Sequence, residues 1–501
     1  MIAQNGGGRP CNVALVTPKV SELRADFPRR VAPRAFNILR LRNIKPWLPA
    51  GKNKVKNLNP LLLALAFAFL LAGSAARADN PLLMNAFAAD PTARAFEGKI
   101  YLYPSHDIQP PNGRRGFCME DYHSYSSANL MDWEDHGVIV TQTNVPWVNP
   151  NYGMWAPDCV FKNGKYYFYF PANSKDAATR RQGVQKVGVA VAERPFGPFI
   201  PETNYIPGIP PSIDPCVLLD PKDGSAYLFY SMNAIFVAKL KDNLLELATE
   251  PLRITNLPPQ GLVEGPFAFE RNSNYYLTFP HAIGRERIEY AMADNPLGPY
   301  TMKGVIMDQN ARCWTIHHSI VEYQGRWYLF YHDNDLSPRD DARRSARADY
   351  LSFNEDGTIQ KVIPTLRGVG ICDARRKIQV DRYSAASKEG VAVSYLDNDR
   401  TGEGWKVALT EKDAFVQYDR VEFGTAAYKS VKVRAQSSTG GAIEVRLDKS
   451  DGPLLAKIEI PMSAEWKEVS ANLTTAASGL HNLVVTLPEK NNVEIDWVSF
   501  E

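Results

Sequence analysis

Hydrophobic and polar positions alternate along this chain in short runs, and five of the runs share one form. A polar corner leads into a strand dense in aromatic residues. The copies read DPTARAFEGKIYLYPSHD from Asp90, APDCVFKNGKYYFYFPA from Ala156, DPCVLLDPKDGSAYLFYS from Asp214, EGPFAFERNSNYYLTFPH from Glu264 and HHSIVEYQGRWYLFYHD from His317. Their starts lie 66, 58, 50 and 53 residues apart. A unit repeating at such a period cannot bury its apolar face alone, and setting the copies around an axis buries all of them. The pattern predicts a five-bladed β-propeller over residues 79–372. Further short strands at 188–192 and 288–293 each run into a Gly-Pro-aromatic turn, at 197–199 and 298–300, and that echo supports the repeat. Helical periodicity is hardly visible.

A different rhythm begins near Arg375. Apolar and polar residues alternate over 430–435, 442–447, 456–460 and 482–487, with turn signals between them. Short alternating strands at that spacing predict a β-sandwich of jelly-roll type over residues 375–501. The expected fold class is therefore all-β: a five-bladed propeller followed by a sandwich. With no low-complexity linker between them, the two units are expected to pack together.

A chain of 501 residues with 45% apolar and 22% charged residues is globular and exceeds one ordinary core. Its net charge of +2 gives no electrostatic footprint for nucleic acid. The 23 Tyr, 22 Phe and 9 Trp suit strands, and flat apolar rings also suit sugars. Residues 1–78 read as an N-terminal extension and signal peptide. Lys52, Lys54 and Lys56 precede the apolar run Leu61 to Ala72, and an A-x-A site ends at Ala78. The expected location is secreted or periplasmic, with no membrane span after cleavage. The five cysteines beyond the leader lack metal-ligand spacing, and free, buried thiols are expected.

A propeller brings the heads of its blades to one axis, so Asp90, Asp214 and Glu264 are expected to meet in one pocket. Three converging carboxylates fit glycosidic hydrolysis. One acid protonates the leaving oxygen, a second carboxylate activates water, and a further charge separates their pKa values. Asp220, Asp223 and Asp356 sit beside Gly and turn residues and read as turn caps. Asp158 lies two positions beyond its head and reads as structural.

Five local words in order, Ala89-Asp90-Pro91-Thr92, Trp155-Ala156-Pro157-Asp158, Ile213-Asp214-Pro215, Val263-Glu264-Gly265-Pro266 and His317-His318-Ser319, resemble glycoside hydrolase family 43. The resemblance implies an inverting enzyme in which Asp90 is the general base, Glu264 the general acid and Asp214 the group that raises and orients Glu264. It places the base and acid roughly 6.5–9.5 Å apart. It puts His317 in the central channel near a water or a metal ion, and Trp155 at the sugar. Arg347, in an otherwise solvated Arg-rich stretch 339–347, is expected to reach a substrate hydroxyl. Phe87, Trp314 and His106 are weaker candidates for the pocket.

The C-terminal unit resembles a family 6 carbohydrate-binding module through residues 378–383, 441–448 and 495–500. That resemblance implies a structural Ca²⁺ held by Gln379, Asp381 and Asp496, with Gln379 standing where the family usually has Glu. It implies a sugar cleft lined by Phe415, Trp466 and Asn492. No cofactor is required for catalysis. The expected partner is a plant-type polysaccharide or oligosaccharide such as arabinan or arabinoxylan. The expected activity is exo-hydrolysis of terminal pentoses, α-L-arabinofuranose first and β-D-xylose as the alternative. A sugar-binding propeller without catalysis is the rival of another class.

Overall fold

The computed structural model describes residues 79–175, 185–231, 233–310, 313–425 and 427–501. The proposed leader therefore lies outside the described residues. Among the described residues there is no α-helix, only strands and two short 3₁₀ turns, and no helix is long and apolar enough to cross a membrane.

Each of the five copies folds as a hairpin, the inner pair of strands of one blade. Four of them turn through two residues that both have positive φ: Glu97-Gly98 (51°, 75°), Asn163-Gly164 (54°, 77°), Asn272-Ser273 (51°, 65°) and Gln324-Gly325 (50°, 72°). That backbone twist matches the twist of the flanking strands, and this is why Gly, Asn or Ser fills most of these positions. The third copy uses a longer loop, in which Asp220 accepts from Lys222 N (3.0 Å) and Asp223 from Ser225 N (2.8 Å). These are the turn-capping roles expected of the two aspartates.

The blades are separate antiparallel sheets. Their inner hairpins are Ala88–Phe96 with Lys99–Asp107, Asp158–Lys162 with Lys165–Asn173, Ile213–Leu219 with Ala226–Ser231, Phe267–Arg271 with Asn274–Ile283, and His318–Tyr323 with Arg326–Asp333. Innermost strands touch in sequence, and the fifth touches the first, which closes the ring. The second strand of each blade is covered on both faces by its neighbours. It therefore reads as an unbroken apolar run, as at Tyr166–Phe170 and Tyr328–Tyr331, all buried. The sandwich strands alternate instead: Val431, Val433 and Ala435 are buried while Lys432 and Arg434 are half-buried.

The fifth blade has three strands, and the segment after Asp79 lies along its outer edge. Leu82 N donates to Ala346 O (2.8 Å), and the Asn80 amide both donates to Ala348 O (3.0 Å) and accepts from Ala348 N (2.9 Å). Asp79 then receives the Tyr418 hydroxyl (2.6 Å) from the sandwich. Tyr395 Oη donates to Asp335 O (2.6 Å), and one apolar cluster runs through the first blade, the fifth blade and the sandwich, so the two units share a core. Cys372, expected at the end of the propeller, pairs with Val421 in a sandwich sheet, because its strand finds its hydrogen bonds there. All five described cysteines are free and buried.

Asp158 is structural, as expected. It takes a two-pronged ion pair from Arg94 in the first blade (2.9 and 2.7 Å) and the Val217 N–H of the third (2.6 Å). One carboxylate thus ties three blades at the axis. Replacing one partner of a buried pair strands the other charge, so Asp158→Ala is expected to cost about 3–5 kcal/mol. Chemical denaturation measures this, and an unchanged midpoint would show the tie to be dispensable.

Candidate active site

Two of the heads are built alike. Asp90 and Asp214 both have positive φ (47° and 55°), and each sits at a register shift, between Ala89 and Thr92 and opposite Phe229–Ser231. Aspartate tolerates the left-handed region better than most residues, and a bulge re-aims a side chain toward the axis. In the fourth blade the strand breaks between Val263 and Phe267, and the positive φ falls on Gly265 (54°). A Cβ there would lie 2.9 Å from Pro280 Cδ and 3.0 Å from His317 Nδ1, so only glycine fits. The displaced kink explains why Glu264 matches the repeat register only to within one residue.

The structure brings Asp90, Asp214, Glu264, His317 and Trp155 to one cavity of about 220 Å³, with Trp314 on its wall. Phe87 and His106 are not among the lining residues. Two charged residues that the repeat heads do not mark also line it: Arg344 and Glu286. Both belong to third strands, Arg344 just before Ser345–Leu351 and Glu286 at the start of Arg285–Ala293. Antiparallel strands explain this. A first strand that starts at the axis face is followed by a second that ends there and a third that starts there again.

Arg344 is buried, contrary to the solvated loop expected at 339–347. Its guanidinium reaches Asp90 through Nη1 (2.8 Å) and Nη2 (3.3 Å), and Asp107 through Nε and Nη2 (2.9 Å each). Arg347, expected at the substrate, is turned to Asp333 and Asp335 and donates to Thr365 O (2.6 Å). Those partners occupy its fork, and it is absent from the cavity lining.

The carboxyls are driven apart in pKa. Burial alone would raise Asp90, but Arg344 brings it down to about 2. Asp90 is therefore a carboxylate. Its backbone N–H donates to His332 Nδ1 (3.0 Å), so that nitrogen carries no proton, and Nε2 faces Thr315 Oγ1 (3.1 Å). The His332 ring is neutral, held well below its usual range by burial and by Arg344.

Glu264 moves the other way. Burial first, then the neighbouring Glu286 and Asp90, hold it well above the usual carboxyl range. The two glutamates are hydrogen-bonded, and burial lifts Glu286 to about 7. Glu286 is fixed by the Ile316 N–H (2.7 Å). Asp214 is pushed well up by burial, then by Glu264 and Asp90. It accepts from Gly265 N (3.1 Å) and Ser231 Oγ (3.2 Å), and so grips the backbone next to Glu264. Glu286, not Asp214, is the leading charge acting on Glu264. The cavity thus holds one carboxylate beside an arginine and further carboxyls raised toward their protonated form, Glu264 among them, an arrangement able to run base and acid chemistry together.

His317 reaches the cavity. Among the described residues, however, it belongs to no group of three His, Cys, Asp or Glu ligand atoms close enough to share one ion. In the sandwich, Gln379 pairs across from Trp497, beside Asp496, and Asp496 acts on Asp381. Arg382 bonds Asp381 (3.0 Å) and Arg434 bonds Asp496. Two arginines balance part of the charge of these acids, and Gln379, Asp381 and Asp496 supply only part of the six to eight oxygens that Ca²⁺ takes. Phe415 stands on one sheet and Trp466 on the other, Asn492 is exposed, and the Arg434 guanidinium covers one Trp466 face at 5.0 Å. The expected sugar cleft is therefore partly occupied by the protein's own cation.

Both units match known families. The model of glycosyl hydrolases family 43 matches residues 78–359, and that of carbohydrate binding module family 6 matches residues 384–501. The chain is 36% identical over 332 residues to Xylosidase/arabinosidase 43A of Humicola insolens, which covers 56% of this chain and 98% of that protein. It is 26% identical over 470 residues to an arabinoxylan arabinofuranohydrolase of Paenibacillus polymyxa, covering 81% of this chain and 71% of the relative. Among solved structures it is similar to CoXyl43, a β-xylosidase/α-arabinofuranosidase from a compost metagenome, in its calcium-free complex with xylotriose. That similarity has a TM-score of 0.51 and 34% identity, over 57% of this chain and 97% of that one.

Proposed function

Since the chain belongs to glycosyl hydrolase family 43 and is a glycosidase acting on pentose residues, we propose that it removes terminal α-L-arabinofuranose by single displacement with inversion. The observation that carries this reading is the ionised Asp90 and the protonated Glu264 lining one cavity. Asp90 takes a proton from the water that attacks the anomeric carbon, and Glu264 gives its proton to the departing oxygen. Arg344 keeps Asp90 ionised, Glu286 keeps Glu264 protonated, and Asp214 holds the Glu264 backbone in place. Trp155 and Trp314 offer ring faces to the sugar. A cavity of about 220 Å³ is small for a ligand site and suits one terminal unit, which supports exo attack.

β-D-Xylose is the second reading, favoured by the xylosidase names of the relatives at 34–36% identity. The polymer is a pentose-bearing plant polysaccharide, and the C-terminal domain serves to hold the enzyme near it. The basic, apolar and A-x-A pattern of residues 52–78 supports export to the periplasm or medium.

Parallel assays on aryl α-L-arabinofuranoside and aryl β-D-xyloside test the sugar. Following the first-formed anomer by proton NMR tests the stereochemistry. Release of β-L-arabinofuranose is expected. A retained anomer would end the single-displacement reading, and a higher kcat/KM on the xyloside would move the assignment to xylose.

A further inference from the structure

A second cluster of ligating side chains lies in the first blade, outside the catalytic cavity. We infer that His106, Asp121 and His123 form a binding site for a divalent transition-metal ion of the Zn²⁺ class. Asp121 and His123 are two apart on the strand Met119–Ser127 and share one face of it. The neighbouring strand Lys99–Asp107 pairs Ser105 with Tyr122, and its register shifts between Ser105 and Asp107. That irregularity places His106 on the same face.

One ligand atom from each residue lies within 4.8 Å of the other two. His106 Nδ1 is 2.7 Å from Asp121 Oδ1, and the two imidazole rings are 5.0 Å apart at 69°. Bonds of about 2.1 Å in a tetrahedral site set ligand atoms about 3.4 Å apart, so small side-chain rotations close the set around an ion. His123 Nδ1 is held by Asp135 Oδ1 (3.1 Å), which leaves Nε2 for the metal. A carboxylate behind a ligating imidazole is the usual orienting partner.

Two nitrogens and one carboxylate oxygen select Zn²⁺ and its neighbours over Ca²⁺ and Mg²⁺, which favour oxygen throughout. Side-chain exposures of 27%, 15% and 19% leave a path for the ion while removing much of its competing water. Asp135 also lines the crevice between the propeller and the sandwich, together with Tyr125, Met84 and Glu403. An ion at this place would pin the first blade beside the domain junction, away from the reacting atoms.

The test uses untagged, chelator-stripped full-length protein titrated with Co²⁺ and then Zn²⁺, read by d–d absorption and calorimetry. One equivalent of Co²⁺ is expected to bind at micromolar concentration with a nitrogen- and oxygen-ligated spectrum, and Zn²⁺ is expected to displace it. His106→Asn and His123→Asn should each weaken binding at least tenfold, while the stripped variants keep wild-type glycosidase activity and circular dichroism. Asp135→Asn should weaken it by about 10-fold or more through the orienting bond. No binding by the wild-type chain overturns the inference, because the residues are then two ordinary His–Asp pairs. Undiminished binding by both His variants also overturns it, because the ion then sits elsewhere.

Discussion

Asp90→Asn and Glu264→Gln each lower kcat by at least about three decades, a loss of about 4 kcal/mol of transition-state stabilisation. The two losses have different origins, and the leaving group separates them. Asp90 must accept a proton from water, and an amide at that position cannot. Its loss is therefore the same for every substrate. Glu264 supplies a proton to the departing oxygen, and a good leaving group needs none. The Glu264→Gln deficit should shrink sharply on a dinitrophenyl glycoside, while that of Asp90→Asn stays. Both changes are nearly isosteric, and unchanged circular dichroism shows that folding survives. Near-wild-type turnover in either variant would remove that residue from the chemistry.

The second large effect is on the pH profile of kcat/KM, whose limbs report the free enzyme's base and acid. Arg344 is the main reason that Asp90 titrates near 2 in spite of its burial. Arg344→Met removes that charge, burial then acts unopposed, and the Asp90 pKa rises. The acid limb moves to higher pH. Arg344 also draws Glu264 down, so the alkaline limb moves up as well. Turnover near neutral pH is expected to fall by about two decades or more, because Asp90 also loses the two-pronged contact that aims it. Arg344→Lys keeps the charge but not the fork, and should lose turnover with little movement of the limbs. Glu286→Gln shifts one limb only, in the opposite sense. It removes the repulsion that favours protonated Glu264, so the alkaline limb moves to lower pH. An unmoved alkaline limb in Glu286→Gln would show that burial alone maintains the acid.

The same couplings bear on stability. Asp90 has a folded pKa below its unfolded value, so its contribution is present above the ordinary aspartate range near 4 and fades as pH falls toward 2. Buried Glu264 and Asp214 act in the opposite direction. Their folded pKa values exceed the unfolded ones, so they favour the fold at low pH and withdraw that support as pH rises through the folded values.

Much of the site was legible because it lies in the repeat itself. Asp90, Asp214 and Glu264 occupy head positions, and a head position needs only its place in the copy to be located on the axis. Trp155 and His317 were reached through the resemblance to family 43. Arg344 was not, because nothing in Asp340 to Arg343 distinguishes it from a solvated basic loop. Its burial follows from Asp107, 237 residues away, which accepts three hydrogen bonds from it. Arg347 was misplaced for the complementary reason. Asp333 and Asp335 claim it, and only the register of strand 326–333 against 345–351 reveals them as partners. Glu286 hides in the alternating charges of Arg285-Glu286-Arg287, and its meaning depends on the start of that strand rising to the axis face. Gln379, Asp381 and Asp496 do gather, as the resemblance to a carbohydrate-binding module implied, but Arg382 and Arg434 arrive with them.

The sequence by itself determined the five hairpins, the unbroken aromatic second strands and the alternating sandwich. Each of these follows from local backbone preference and from which faces are covered. Tertiary structure alone decided which charges meet. Whether a carboxyl is ionised depends on partners hundreds of residues away and on the water excluded around it, and neither burial nor distance is written in local order. The head residues are therefore readable from the chain. The ionised state of Asp90 and the protonated state of Glu264 exist only once the ring closes.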